Sequence, residues 1–292
     1  MIWRVCIAAC CLVLLAGCNP APKSPVIVYV PAEYEEQAQA WLPQSGLAVT
    51  VIAGDSTSNA DLIVAKQESP RADVLLTSGV VDVWHAADSG ALRPIAGEAF
   101  HDVPKIFKDP DGMWAAIASR YTTIGTAPGL DIMDIIDLRK LAAPELSAQV
   151  CLSSSVLADN RALIAMLIAE FGNRPAERIV RGWVRNLAAP PFTSAEQLVN
   201  ALRSGDCRYG IISSDVDISG IHRIELATRY YNIQGVGVAR HAQYPEAAQQ
   251  LVDWMLSQHE LEELPASNSR DVGQVGWFEE EARLLAERAG YR

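Results

Sequence analysis

Cysteine and histidine are scarce in this chain, which contains six cysteines and five histidines among its 292 residues. Four of the cysteines lie within the first 18 residues, so Cys151 and Cys207 are the two that remain in the rest of the chain. Neither has histidines nearby at the spacing of a tetrahedral zinc site, and we therefore expect no structural zinc. The histidines are scattered, and we interpret them as surface or packing residues: His85, His101, His222, His241 and His259.

Positive charge is also scarce. The chain has 24 Lys and Arg against 35 Asp and Glu, which gives a formal net charge of −11. Proteins that bind nucleic acid need a clustered basic surface, so this balance argues against a nucleic-acid partner. Three signatures of common catalysts are missing from the sequence, namely Gly-x-Ser-x-Gly, His-Glu-x-x-His and the phosphate loop. The sequence therefore does not predict an enzyme.

One long apolar run is present, at residues 5–15, and it follows Arg4. It is shorter than the roughly 20 residues that cross a bilayer, but it has the layout of a secretory signal. Leu15-Ala16-Gly17-Cys18 resembles the lipobox of bacterial lipoproteins, which implies a signal peptide over residues 1–17 and an acyl chain on Cys18. The protein would then be a membrane-anchored lipoprotein of the periplasm or cell envelope. An ordinary cleaved signal with a chance cysteine is the alternative.

Segments typical of strands and helices alternate after a proline-rich tether over residues 18–25. Residues 26–30, Val-Ile-Val-Tyr-Val, form a continuous apolar run, which is typical of a strand buried on both faces. A second alternating series begins near Val150. This pattern predicts the α/β class with largely parallel sheets, and the length of the chain favours two lobes over one.

Five segments, in the same order as in a known family, carry a resemblance: residues 28–34, 72–74, 89–95, 107–114 and 232–249. They resemble the ferric-binding-protein-like solute-binding proteins of ABC transporters, which belong to the two-lobed "Venus flytrap" class. The resemblance implies a type II periplasmic-binding-protein fold, with two α/β lobes, two crossover strands and a ligand cleft between the lobes. Such a protein is expected to be a monomer that delivers a small molecule or metal ion to an inner-membrane ABC permease.

The expected lobe boundaries follow from the same resemblance. Lobe 1 would comprise residues 26–120 and 233–267, and lobe 2 residues 127–227 and 268–292. The two crossovers would lie near residues 119–126 and 228–234. A binding-protein fold that has lost transport and acts as a surface interaction or sensory module is the alternative function.

Eight residues are predicted to line the cleft: Glu33, Tyr34, Thr77, Ser78, Ser153, Ser154, Ser155 and Asp215. The three serines lie between a strand and a long helix, where free backbone N–H groups and the helix dipole favour an anion. A plain N-cap serine is the alternative for this turn.

The nature of the ligand has two readings. The resemblance implies Fe(III) as the transported ligand, with oxygen donors from Glu33, Tyr34 and Asp215, because ferric ion favours such ligands. However, Glu33 stands at the family's histidine position, and serines 213 and 214 stand where the family has adjacent tyrosines. Tyr230 and Tyr231 come later and are interpreted as hinge or packing residues. The other reading is an anionic or phosphate-bearing solute held by hydroxyls and helix N-termini.

A disulfide is predicted between Cys151 and Cys207. Each cysteine opens a strand of the second lobe, and neighbouring strands lie about 4.8 Å apart, within the Cα separation that a disulfide spans. Both would lie at the end of the sheet away from the cleft. Two buried free thiols are the alternative.

Overall fold

The computed structural model describes residues 24–130, 137–258, 261 and 272–292. The predicted signal peptide, Cys18 and most of the predicted tether lie outside these residues. So do residues 131–136 and the predicted lobe boundary at residue 267. In the described part of the chain, no helix is both long enough and apolar enough to cross a membrane.

Strands and helices alternate through the described residues. The strands are β1 (Val26–Pro31), β2 (Val49–Gly54), β3 (Val74–Thr77), β4 (Leu92–Arg93), β5 (Ala115–Thr126), β6 (Val150–Cys151), β7 (Tyr209–Ser213), β8 (His222–Ile224) and β9 (Tyr231–Ala239). The α-helices are α1 (Glu35–Trp41), α2 (Ser56–Ala65), α3 (Val80–Asp88), α4 (Ala99–Asp102), α5 (Ala158–Phe171), α6 (Asn173–Arg185), α7 (Ala195–Ser204), α8 (Pro245–Ser257) and α9 (Glu279–Ala289). A 3-10 helix, Val272–Phe278, precedes α9.

The first sheet has the strand order β2-β1-β3-β9-β5. Strand β1 pairs in parallel with β2 and β3, and all six of its residues are buried, as the continuous apolar run predicts. Strand β9 then returns antiparallel beside β3 and β5. Because ligands of open α/β sheets bind beyond the carboxyl ends of parallel strands, β1 and β3 direct residues 33–34 and 77–78 towards the expected cleft.

Strand β5 joins this sheet to the second one. Its residues 115–121 pair with β9, whereas residues 122–126 pair antiparallel with β7 and β8. Strand β7 in turn pairs in parallel with β6. The hydrogen-bonded path from β2 to β6 is therefore continuous, but β5 belongs to both sheets and acts as a crossover. The lobe boundaries themselves stay predictions.

Helix α7 packs on β5, β6 and β7 of the second sheet. Helix α5 packs against α6, α9 and the 3-10 helix, and the 3-10 helix also contacts α3 of the first half. Arg161 of α5 donates a hydrogen bond to the buried Asp82 of α3 at 2.6 Å. Gly172, with φ of +81°, ends α5 and allows α6 to begin at once at Asn173.

The second sheet contains a disulfide between Cys151 and Cys207, whose Cα atoms are 5.9 Å apart. Cys151 is in register with Gly210 of β7, and Cys207 precedes that strand by two residues. Both cysteines are buried in a small apolar cluster with Leu198 and Leu202 of α7. The bond therefore ties the second residue of the short strand β6 to the segment that leads into the amino-terminal end of β7.

Candidate functional site

A pocket of about 50 Å³ opens where the second sheet meets the two crossover strands. This volume holds a group the size of one or a few waters. Its walls come from the middle of β5, the turn after β6, the first turn of α5, the start of α7, the end of β7 and the start of β9. The polar lining includes Arg120, Ser153, Asp159, Asn160, Ser213 and Asn232.

Arg120 is the charged centre of this pocket. It lies in β5 and is only 8% exposed. Its Nε donates to Asp159 Oδ1 at 2.7 Å, and its Nη2 donates to the carbonyl of Ser78, beyond the end of β3. The same Asp159 oxygen accepts a hydrogen bond from Asn232 of β9 at 2.7 Å. Arg120 thus bonds to both halves of the fold across the crossover strands.

Sequence reasoning missed Arg120, Asp159 and Asn232. The signal available was a single arginine inside a run of strand-forming residues, Ala-Ala-Ile-Ala-Ser-Arg-Tyr-Thr-Thr-Ile at 115–124. A cation in a buried strand needs a partner, since an unpaired buried charge is costly. That rule marks Arg120 as unusual, but it does not say which residue pairs with it.

Tyr34 lies within electrostatic reach of this centre. Burial is the largest influence on its phenol and raises the pKa of Tyr34 above the ordinary value. Arg120 opposes this shift, while Glu33, Asp159 and Asp215 add to it. The phenol therefore feels one guanidinium and three carboxylates, although the pocket around Arg120 is not lined by Tyr34, Glu33 or Asp215.

Two helix N-termini reach the pocket. Residues 157, 159 and 160, at the start of α5, line it, and so does Ala195 at the start of α7. The N-cap of α5 is Leu157, whose side chain caps no backbone N–H, whereas Ser194 caps α7 by accepting from the Gln197 N–H. Uncapped N–H groups at the positive end of a helix are good partners for an anion.

Ser213 adds an unsatisfied hydroxyl to the same wall. It is 9% exposed, lies at the end of β7, and its Oγ is buried without a hydrogen-bond partner. A buried hydroxyl that makes no hydrogen bond is costly, and a ligand oxygen in the pocket would satisfy it. This orphan hydroxyl was not among the residues predicted from the sequence.

The predicted serine turn is only partly at the pocket. Ser153 lines it, whereas Ser154 and Ser155 do not. The hydroxyl of Ser155 donates to the carbonyl of Tyr291 at 3.1 Å, and the Tyr291 hydroxyl donates to the Ser153 carbonyl at 2.6 Å. The C-terminal segment therefore uses part of the turn that the sequence predicts as an anion site.

The other predicted residues are spread around the centre. Thr77 is buried, and its hydroxyl donates to the Gly79 carbonyl at 2.9 Å, while Ser78 offers its carbonyl to Arg120. Asp215 lies two residues beyond β7. Within the described residues, no three His, Cys, Asp or Glu side chains converge as a metal-holding group. Glu33 and Asp215 therefore form no ready-made metal cluster in this conformation.

The two adjacent tyrosines later in the chain are engaged in packing. The hydroxyl of Tyr230 donates to Glu170 at 2.6 Å. The ring of Tyr231 makes edge contacts with Phe107 and Tyr121, at centroid distances of 5.1 and 5.8 Å. Both tyrosines are buried at the start of the returning crossover and also line the pocket, so their hinge or packing role stays a prediction.

The family model of the bacterial extracellular solute-binding proteins matches residues 26–264. The chain belongs to this family. Among curated proteins, Iron uptake protein A1 of Synechocystis is 23% identical to this solute-binding protein over 279 residues, which cover 84% of this chain and 77% of that protein. The predicted family is thus confirmed.

Solved structures share the fold. The Trichodesmium protein in complex with iron and citrate superposes with a TM-score of 0.80 at 20% identity, covering 92% of this chain and all of that one. The ferric binding protein from Campylobacter jejuni gives 0.81 at 17% identity, with 91% and 100% coverage. AfuA from Actinobacillus pleuropneumoniae, with fructose-6-phosphate bound, gives 0.73 at 16% identity, with 91% and 97% coverage. The predicted two-lobed α/β fold is therefore confirmed, while the ligands of these structures differ.

Proposed function

We propose that this solute-binding protein is the binding component of an ABC importer and carries ferric iron together with an oxyanion. The observation that carries the proposal is the shared position of two kinds of groups around Arg120. Arg120 acts on the phenol of Tyr34 together with the carboxylates of Glu33, Asp159 and Asp215, and it also lines the pocket in which hydrogen-bond donors could hold an anion. A trivalent cation and an anion would neutralise each other's charge there, and the work of the protein would be binding and release without bond chemistry.

The cation side would draw on Glu33 and Tyr34 after β1 and on Asp215 after β7. These residues come from different halves of the fold, so closure of the two lobes would bring them together around the ion. Ferric ion is a hard cation that favours carboxylate and phenolate oxygens. The Iron uptake protein A1 relationship and the iron and citrate complex of the Trichodesmium protein support this choice of cargo.

The anion side would draw on the uncapped start of α5, the start of α7 and the hydroxyl of Ser213. Arg120 supplies the positive charge, partly shared with Asp159. The pocket of about 50 Å³ suits a small oxyanion or one carboxylate of a larger acid. The negative charge of Asp159 is offset in part by its ion pair with Arg120, and its Oδ1 also accepts a hydrogen bond from Asn232.

Attachment to the membrane is part of the same proposal. The lipobox-like sequence would place an acyl anchor on Cys18, and the tether up to residue 25 would hold the lobes near the permease. Lipid chains hold such a protein to a membrane surface while its body stays in water. Mass spectrometry of the protein purified from its native membrane tests this directly, since an unmodified residue 18 contradicts the anchor.

Ferric citrate titration is the experiment that tests the cargo. Binding of Fe(III) through Tyr34 should produce a visible tyrosinate-to-iron charge-transfer band and raise the melting temperature, while citrate alone should produce no colour. The pKa of Tyr34 is raised, so the phenol is protonated near neutral pH and must lose its proton to become a ligand. Iron affinity should therefore increase with pH, by up to about tenfold per unit for one released proton. A protein that shows no charge-transfer band beyond the absorption of ferric citrate itself contradicts the iron proposal.

An anionic or phosphate-bearing solute without metal is the second candidate. It is favoured by the lack of a converged metal cluster among the described residues and by the buried Arg120. Inorganic phosphate and hexose phosphates, titrated calorimetrically in the presence of an iron chelator, should then bind with the same stoichiometry. If neither ferric citrate nor any of these anions binds, the favoured function is the surface interaction or sensory module that has lost transport.

Replacing Ser213 with alanine should weaken anion binding without weakening the fold. The Ser213 hydroxyl has no partner in the ligand-free protein, so its removal should leave the free energy of unfolding unchanged or slightly higher. Loss of one hydrogen bond to the ligand should reduce affinity for citrate or phosphate by about two- to tenfold. Thr126→Val is the matched control, because its hydroxyl is also buried without a partner but lies outside the pocket. Equal affinity losses in the two variants would rule out a direct contact from Ser213.

A further inference from the structure

Helix α6 carries a row of four arginines. Arg174, Arg178, Arg181 and Arg185 follow at intervals of four, three and four residues, which places them on one side of an α-helix. All four are exposed, whereas the opposite side of α6 is buried and packs against α5 and α9. We call these four residues the arginine row.

The charge of the arginine row is largely uncompensated. Helix α6 has one acidic residue, Glu177, whose carboxylate accepts from Arg181 at 2.8 Å and from Arg288 of α9 at 3.1 Å. In the part of the chain that the structure describes, the other three arginines of the row make no hydrogen bond or ion pair. A concentrated positive row is unexpected in a chain of net charge −11.

An open groove of about 370 Å³ borders the arginine row. Its lining is about equally polar and apolar, with guanidinium groups at its edge. That of Arg139 is paired with Asp137 and lies 5.4 Å from the ring centroid of Phe171, whereas Arg178 makes no ion pair among the described residues. A groove that places apolar side chains beside an unpaired guanidinium suits an amphiphilic anion, because the apolar part is buried while the charge is neutralised. The groove is lined by Arg139, Ala142, Phe171, Pro175, Arg178 and Ile179.

We propose that the arginine row and its groove hold the second lobe against a membrane surface that contains anionic phospholipids. The proposal rests on the acyl anchor in the proposed function, since that anchor brings the protein to the bilayer. Residues 18–25 span at most about 28 Å when fully extended, so the folded body stays close to the headgroups. Attraction between arginines and anionic lipids acts only within about 8 Å at physiological salt, a distance that such a short tether allows. The contact would fix the orientation of the cleft relative to the membrane.

Vesicle sedimentation with the chain from residue 18 tests this without the anchor, with Cys18→Ser to prevent acylation. The wild-type chain should bind vesicles of phosphatidylglycerol and phosphatidylcholine, bind pure phosphatidylcholine vesicles hardly at all, and dissociate as salt is raised. Each arginine removed should weaken partitioning about fivefold. The partitioning of the triple variant Arg174→Gln, Arg178→Gln, Arg185→Gln onto anionic vesicles should therefore be about a hundredfold weaker than that of the wild type.

The matched control removes the same charge from the first half of the fold, with Lys66→Gln, Arg71→Gln and Lys105→Gln, all at exposed positions. It should keep vesicle binding within a few-fold of wild type. Both triple variants should bind ferric citrate or phosphate like the wild type, which separates this surface from the pocket.

Three results would overturn the proposal. They are equal vesicle binding by the two triple variants, equal wild-type binding to neutral and anionic vesicles, and failure of the wild-type chain to bind anionic vesicles at low salt. The last result would indicate that the arginine row binds an acidic protein instead of a membrane. An unmodified Cys18 in the native protein would contradict the anchor alone and leave the vesicle measurement intact.

Discussion

Replacing Arg120 with methionine is expected to reduce affinity for citrate or phosphate by about thirtyfold or more, with a smaller effect on stability. Removing one member of a buried, hydrogen-bonded charge pair at a binding site costs about 2 kcal/mol or more of binding free energy. Methionine keeps the length and apolar packing of the side chain but removes the charge and the bonds to Ser78 and Asp159. Asp159 is 39% exposed on its side chain, so water can solvate its carboxylate once Arg120 is gone. Calorimetric titration and urea unfolding of the variant measure the two effects separately.

A double-mutant cycle decides how Arg120 acts. If Arg120 only positions Asp159, the variant Asp159→Asn should reduce affinity equally, and adding Arg120→Met should change nothing further. If Arg120 contacts the anion, the loss should persist in the Asp159→Asn background. Arg203→Met is the control, because Arg203 lies on α7 outside the pocket and bonds to Ser219 and Asn200. If the Arg120→Met variant binds every anion tested with wild-type affinity, the pocket is not part of the ligand site.

The fold could be predicted from the sequence because its signals are local. The apolar run of β1 and the glycine stop at Gly172 each depend on a few adjacent residues. The two crossover strands could also be expected, since β5 and β9 are long runs of strand-forming residues near the predicted positions.

The candidate site was harder to predict because its contacts join distant parts of the chain. Arg120 and Asp159 are 39 residues apart in sequence, and Asn232 and Asp159 are 73 apart. No spacing rule connects such residues, and a lone arginine in a strand gives only a hint. For the same reason, the sequence does not show that the Ser155 hydroxyl donates to the carbonyl of Tyr291, which is 136 residues away. Tyr34 could be named because it directly follows a recognisable strand and loop.

Removing the disulfide is expected to lower the free energy of unfolding by about 2–4 kcal/mol. The bond joins residues 56 positions apart, and cross-linking them restricts the unfolded chain more than the folded one. Ligand affinity should stay within twofold of wild type, because Cys151 and Cys207 tie the start of β7, whereas Ser213 brings the end of that strand to the pocket. The double variant Cys151→Ala, Cys207→Ala and the wild type with and without reductant can be compared by urea unfolding and anion titration.

The reduced wild-type protein is the control for packing, since it keeps both sulfur atoms in the cluster with Leu198 and Leu202. If the cross-link is the source of stability, reduced wild type and double variant should unfold at similar urea concentrations, both below the oxidised protein. Their unfolding should also depend more steeply on urea, because the unfolded chain expands further without the bond. Identical midpoints for the oxidised and reduced proteins would contradict a stabilising bond. A large loss of affinity on reduction would instead mean that strain at the start of β7 reaches Ser213 through the strand.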